Sequence, residues 1–314
     1  MGGLCLRCGT ICLEQTDAAE KTIGNPLVPA LIAMFPLWHR RCPSTCVEES
    51  NTTSMAPLIS ILTPTRNRGS TFLPQAIASV RALRLSCAYE HVVVDDASDD
   101  GTAAYLAREA AGDSRLRPVY HIHQHGVGAA RNSAVHAARG EYVVDLDDDD
   151  ILLAQGVEHR LRYLQAHPEF WAVHANALKI DEQGRYLIGE DVQNYLCLDR
   201  ARCAELFFTS AMFPTASTAM YQRVALLGLG DWDESLSCCE DYDLWLRSLE
   251  RYGAPGFLDE PVALYRRKAH SLGIDSVLSG AHARNQLTVQ RRYYHLLAPK
   301  SNHTRTECEG AHAS

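Results

Sequence analysis

The apolar run Gly140-Glu141-Tyr142-Val143-Val144 leads into Asp145-Leu146-Asp147-Asp148-Asp149-Asp150, a segment that ends in four consecutive acids. Like charges this close raise one another's pKa unless a cation is held among them. The apolar run reads as a short strand, and open α/β sheets place their ligand crevices at the carboxyl ends of strands. Oxygen ligands on a rigid element suit Mg²⁺ or Mn²⁺, which bind through one or two carboxylates plus substrate phosphates. Taken alone, the same run could be an acidic, solvated turn.

Three more segments carry chemistry-bearing side chains. Val94-Asp95-Asp96-Ala97-Ser98-Asp99-Asp100-Gly101-Thr102 is an acid-rich turn. Its acids can cap a helix or close an Asx-turn. They can also accept from an imide N–H, which uracil, thymine and guanine offer and cytosine lacks. One acid is expected to cap and the other to bind. Gly126-Val127-Gly128-Ala129-Ala130-Arg131 half-imitates a dinucleotide fingerprint, but the third glycine is missing. Glu240-Asp241 opens an amphipathic stretch. Asp241 there can cap a helix.

These segments need a scaffold. A strand is expected over Leu58–Thr63, a helix over Phe72–Leu83, a strand over Glu90–Asp95, a helix over Thr102–Ala111, a strand over Leu116–His121 and a helix over Ala129–Ala138. Strand and helix alternating at this spacing means βαβ units and a mostly parallel sheet. Beyond Asp150 the rhythm changes. Helices are expected over Val157–Gln165, Asp241–Arg251 and His282–Leu297, a strand over Trp171–Ala175, and a hairpin turning at Gln183-Gly184. Residues 1–54 lack periodicity, and Met55 is expected to begin the folded domain, the preceding stretch being disordered or misannotated. Residues 55–298 are expected to form that domain, in two halves over 55–150 and 151–298. The tail 299–314 is expected to be disordered.

Composition narrows the class. The chain has 314 residues, 46% hydrophobic and 22% charged, as an ordinary globular protein does. A net charge of -8 excludes a general nucleic-acid binder. The basic spot Tyr265-Arg266-Arg267-Lys268 can still serve one pyrophosphate. Eleven cysteines form an odd set without framework spacing. Cys5-Leu6-Arg7-Cys8 has no partner pair, so reduced thiols in a cytoplasmic protein are the simpler account. Cys238 and Cys239 are expected to be buried rather than nucleophilic. The run from Asn25 to Trp38 is too short and proline-rich to span a bilayer, and Glu14, Asp17 and Glu20 spoil it as a signal peptide.

In order and spacing, Thr63-Pro64-Thr65-Arg66-Asn67, the Asp95-Asp96 turn, the Gly126–Asp150 segment and Glu240–Arg247 together resemble the family 2 glycosyltransferases. The resemblance runs from about Pro57 to Ser271. It implies the GT-A fold, a Rossmann-like, mostly parallel central sheet flanked by helices, with an irregular acceptor-side C-terminal portion. It implies that the strand-one loop, here Thr63 and Asn67, and Asp96 hold the nucleotide base and ribose. The family's DxD motif falls on Asp147-Asp148-Asp149. Asp149 would coordinate Mn²⁺ or Mg²⁺ bridging the donor's phosphates, and Asp147 would meet sugar or ribose hydroxyls. Arg131 would lie near donor phosphate or sugar, Asp241 would be the general base, and His270 would reach the metal or diphosphate. Asp145 and Asp150 have no implied role, and Trp232 is either an acceptor-sugar platform or core.

The activity implied is metal-dependent, inverting transfer from a nucleoside-diphosphate sugar, foremost a UDP-sugar. The acceptor would be a hydroxyl of a glycan, lipid-linked saccharide or small molecule, with at most peripheral membrane association. Lacking a QxxRW motif and a spanning segment, the chain is not expected to be a processive synthase. A nucleotidyltransferase reading wants a Gly-rich basic loop after strand one and leaves Glu240-Asp241 idle. A non-catalytic sugar-nucleotide-binding protein would have lost the DxD or the base, and both are present.

Overall fold

The computed structural model describes residues 56–189, 199–210, 214–269 and 272–297. The expectations for residues 1–54, the tail 299–314 and His270 lie outside the described residues.

The first half follows the expected alternation. Strand β1 (Ile59–Thr65) leads to helix α1 (Leu73–Arg81), β2 (Tyr89–Asp95), α2 (Thr102–Gly112), β3 (Leu116–Tyr120), α3 (Val127–Ala137) and β4 (Tyr142–Asp145). All four strands are parallel, in the order β3-β2-β1-β4. The chain steps outward from β1 to β3 and then returns to the other side of β1. The topological switch point therefore lies between β1 and β4, where open α/β sheets place their ligand crevice.

Burial on both faces explains the apolar strands. Val143 joins the core on one face with Leu62, Val92 and Val94, while Val144 joins Ile59, Ile61 and Leu146 on the other. This period of two is what a strand covered on both sides requires. Gly140 is needed just before β4, because a Cβ there would sit 2.6 Å from the Ser60 backbone nitrogen.

The second half extends the same sheet. It contributes β5 (Ile151–Leu152), α4 (Gly156–Ala166), β6 (Ala172–Ile180), α5 (Arg200–Ser210), β7 (Met220–Gln222), α6 (Arg223–Leu229), α7 (Glu240–Tyr252), β8 (Gly256–Arg266), α8 (Leu272–Leu278) and α9 (Ala281–Tyr293). Strand β7 pairs antiparallel with β4 and with β6, β8 runs parallel to β6, and β5 pairs antiparallel with β8. The eight-stranded sheet has the order β3-β2-β1-β4-β7-β6-β8-β5.

Several elements here depart from the sequence expectation. Strand β6 runs to Ile180, five residues beyond the expected end. The hairpin expected at Gln183-Gly184 forms as a short one, with Ile180 bridged to Tyr186, Asp181 N–H donating to Arg185 O and Leu187 N–H to Lys179 O, each at 2.9 Å. Strand β8 carries Asp259, Glu260 and Pro261, which mask it as a loop, and a register shift accommodates them. The C-terminal helix ends at Tyr293, and a 3-10 turn covers Tyr294–Leu297. Trp171, Tyr221 and Trp245 stack in the core beneath α7.

Candidate active site

Because β1, β2 and β4 are parallel, their carboxyl ends share one edge, and the acidic segments meet there. The four-acid run makes a turn closed by Asp150 N–H donating to Asp147 O at 3.1 Å. Asp150 anchors that turn. It is buried and accepts from Ser217 Oγ at 2.6 Å and from Arg266 N–H at 2.9 Å. Ser217 Oγ also accepts from Asp147 N–H at 3.1 Å. Asp150, which had no implied role, thus holds the turn in shape.

The remaining acids face outward from this anchor. Thr65 Oγ1 donates to Asp148 at 2.6 Å, and Arg68 lies 3.9 Å from the same carboxylate. The Lys268 ammonium, delivered by the end of β8, contacts Asp149 Oδ2 and lies 5.4 Å from the centroid of the Phe72 ring. Arg266 Nε donates to the Asp149 carbonyl at 2.7 Å. Asp147 is the most open of the set, with its side chain a third exposed.

Arg131 joins the two ends of the site. It is almost wholly buried near the start of α3 and donates to Asp147 at 2.8 Å and to Glu240 at the start of α7. Burial alone would lower its pKa, but Asp147, Glu240, Asp145 and Asp241 hold the guanidinium firmly charged. A shared cation between two acids fixes the spacing of the elements that carry them. Asn132 adds to this. Its amide donates to Trp232 O at 3.1 Å and accepts from Trp232 N–H at 2.8 Å, pinning the loop before α7.

Asp241 follows Glu240 in the first turn of α7. The cap position belongs to Cys239, and Asp241 accepts only from Tyr242 N–H, at 2.8 Å. Burial, then Glu240, pushes the Asp241 carboxyl up to about 7. Burial also takes Asp145 and Asp148 to about 7, raises Asp147 and lifts Asp150 well above the carboxylate range. Among the described residues Asp145 Oδ1 has no hydrogen-bond partner. This edge therefore holds more negative charge than its own cations neutralise. That excess, the oxygen-only donor set and a lysine seated on Asp149 all fit a divalent ion at Asp149.

Other expected residues fall nearby with different surroundings. Thr63 is fully buried inside β1 and bonded to His91 Nε2 at 2.9 Å, so it presents no surface to a nucleotide. That corrects its assignment by position. Thr65, two residues on and on the same strand face, is the threonine at the mouth, and a strand's two-residue period would have suggested it. Asn67 adopts φ 57° and accepts from Asp99 N–H at 2.9 Å, joining the β1 and β2 loops. Asp95 closes an Asx-turn on Ser98 N–H at 3.1 Å. Asp96 bonds His121 Nδ1 at 2.7 Å, His125 N–H at 2.9 Å and Gly126 N–H at 2.8 Å. A carboxylate has about four acceptor sites, so one remains. Trp232 is 3% exposed and belongs to the core.

The sequence model of glycosyl transferase family 2 matches residues 60–228, more than half of the chain. The chain belongs to glycosyl transferase family 2. An uncharacterized glycosyltransferase of Methanocaldococcus jannaschii is 25% identical over 67% of this chain and 71% of its own length. The putative colanic acid biosynthesis glycosyl transferase WcaA of Escherichia coli is 29% identical over 65% of this chain and 70% of its own. Chondroitin synthase of Escherichia coli is 29% identical over 76% of this chain but only 32% of its own length. Among solved structures, S. aureus TarS in complex with UDP-GlcNAc aligns with TM-score 0.58 at 17% identity, covering 76% of this chain and 70% of that one. The mannosyltransferase PcManGT of Pyrobaculum calidifontis in complex with GDP-Man and Mn²⁺ aligns with TM-score 0.54 at 18% identity, covering 88% and 74%. The family 2 glycosyltransferase therefore has the GT-A fold. Among its described residues no helix is long and apolar enough to cross a membrane.

Proposed function

We propose that this glycosyltransferase moves a sugar from a nucleoside-diphosphate donor, foremost a UDP-sugar, to an acceptor hydroxyl with inversion at the anomeric carbon. The observation that carries the reading is Arg131, held between Asp147 on the donor-side turn and Glu240 beside Asp241. One buried guanidinium links the acid turn to the acid pair that opens α7, whose Asp241 carboxyl has a raised pKa.

In this reading residues 55–150 hold the donor and 151–298 shape the acceptor side. The last acceptor site of Asp96 and the loop at Asn67 take the base and ribose, and Asp148 lines the donor pocket. Asp147 meets sugar or ribose hydroxyls, and Asp149 carries Mn²⁺ or Mg²⁺. When bound, the ion neutralises charge developing on the departing diphosphate. Lys268 gives up Asp149 and turns to the diphosphate. Asp241 takes the proton from the acceptor hydroxyl as its oxygen attacks the anomeric carbon and the bond to the diphosphate breaks. A base of pKa about 7 suits that proton transfer near neutral pH. His270, four residues past the end of β8, is proposed to join the metal or diphosphate. The fold likeness to proteins solved with UDP-GlcNAc and with GDP-Man and Mn²⁺ supports a nucleotide-sugar donor and a divalent ion. The relatives' names support work in polysaccharide assembly, here in the cytoplasm, on a glycan, lipid-linked or small-molecule acceptor.

The test is nucleoside-diphosphate release from UDP-, dTDP- and GDP-sugars with Mn²⁺, Mg²⁺ or chelator, followed by NMR of the product's anomeric configuration. Metal-dependent release from one donor, lost in Asp149→Ala, is expected. Release unaffected by chelator and by Asp149→Ala, or a product with retained configuration, would sink the corresponding part of the reading.

A further inference from the structure

Immediately before the α7 acids stand two adjacent thiols that the transfer reaction does not use. Cys238 and Cys239 are both buried, and Cys239, at φ 67°, caps α7. Its sulfur lies 4.0 Å from Cys238 Sγ and 3.6 Å from Nδ1 of His282, in the first turn of α9. All three ligand atoms lie within 4.8 Å of one another.

These lengths can be compared with a coordination polyhedron. Bonds of about 2.3 Å to sulfur and about 2.0–2.1 Å to nitrogen at tetrahedral angles give a sulfur–sulfur edge of about 3.8 Å and a sulfur–nitrogen edge of about 3.5 Å. Two of the three edges are within a few tenths of an ångström of those values. The third edge, from Cys238 to His282, is at most 4.8 Å. The surroundings are those of a metal site. Asn285, three residues after His282 on the same face of α9, donates to Cys238 Sγ at 3.4 Å and to Cys238 O at 3.1 Å. Hydrogen bonds of this kind orient ligating sulfur.

We propose that Cys238, Cys239 and His282 bind one thiophilic divalent cation of the zinc class, with the fourth position open to water. Binding releases one proton from each thiol to solvent, and the two thiolates and the neutral imidazole then balance the dication. Burial, followed by Cys238, Asp241 and Glu240, pushes the Cys239 thiol up, so without metal it stays protonated and unreactive. The same acids favour a cation beside them. This site is separate from the DxD turn, because its sulfur and imidazole donors select zinc over the Mg²⁺ and Mn²⁺ that oxygen donors suit. Its occupation ties α9 to the first turn of α7.

The test uses the full chain, reduced, in a Cys5→Ser, Cys8→Ser background that removes the N-terminal thiol pair. Zinc is titrated against a chromophoric chelator, and Co²⁺ is added to read thiolate-to-cobalt charge-transfer absorption. One tight equivalent and that absorption are expected. Both should survive Asp149→Ala, vanish in Cys239→Ser and His282→Gln, and weaken about tenfold in Asn285→Ala. Absence of the absorption, its persistence in His282→Gln, or loss of the bound equivalent in Asp149→Ala overturns the proposal. If Cys239→Ser fails to fold, X-ray absorption at the zinc edge of the unsubstituted protein decides: sulfur in the coordination shell is expected, and a shell of nitrogen and oxygen alone refutes the site.

Discussion

Replacing Arg131 by methionine removes the cation that Glu240 and Asp147 share and leaves the packing volume nearly intact. Breaking a buried pair by removing one partner typically costs about 3–5 kcal/mol, most of it the penalty of the orphaned charge. The two arms are unequal. The Glu240 side chain is 7% exposed, whereas Asp147 is a third exposed and water screens it. A loss of about 3–4 kcal/mol at pH 8 is therefore expected, dominated by Glu240. At pH 5 the orphaned Asp147, whose carboxyl burial already raises, takes up a proton and its share of the cost falls away, leaving about 2–3 kcal/mol. Urea unfolding followed by tryptophan fluorescence measures both values, since Trp171 and Trp245 lie in the core under α7. A cost below about 1 kcal/mol at pH 8, or the same cost at both pH values, would refute Arg131 as the electrostatic clamp of this site.

Asp241→Asn should lower the transfer rate by ~10²–10⁴ while leaving donor binding intact, read by steady-state kinetics beside calorimetry. With Asp241 raised to about 7, kcat/KM should climb with pH and level off above about 7; a flat profile across that range would exclude it as the base. The unliganded protein should lose stability as pH rises from about 4 to about 7. Asp145, Asp148 and Asp241, each pushed up to about 7, keep protons in the fold that the unfolded chain has already released. Mn²⁺ with a nucleoside diphosphate should flatten that slope, and a stability that rises over the window would contradict the charge excess. Gly140→Ala should cost about 1–3 kcal/mol, because the added Cβ meets Ser60 and Ile59 backbone atoms at 2.6 and 2.7 Å, which cannot yield as side chains do. An unchanged urea midpoint would show that the β1–β4 approach is looser than it looks.

The first half of the fold was legible because each of its elements announces itself locally. Strands buried on both faces read as the continuous apolar runs Val92–Val94 and Tyr142–Val144, and helices between them repeat at their own period. The second half was less so. Strand β7 is only Met220–Gln222, and β8 contains Pro261 directly after two charged residues. Such strands exist because β4 and β6 offer edges to pair with, and a partner's edge is not written in a strand's own residues.

The candidate site divides in the same way. Residue types and order alone marked the acid turn, the Asp95-Asp96 turn and Glu240-Asp241, since unusual charge on a short segment is a local property. Chain order could not say that Thr65 rather than Thr63 stands at the mouth, that Asp150 is an anchor, or that Lys268 reaches Asp149. Nor could it pair Arg131 with Glu240, 109 residues away. Parallel strands bring distant carboxyl ends to one edge, and burial then decides which charges must find each other and which carboxyls keep their protons. Charge type is a property of the sequence, whereas partner and pKa belong to the folded surroundings.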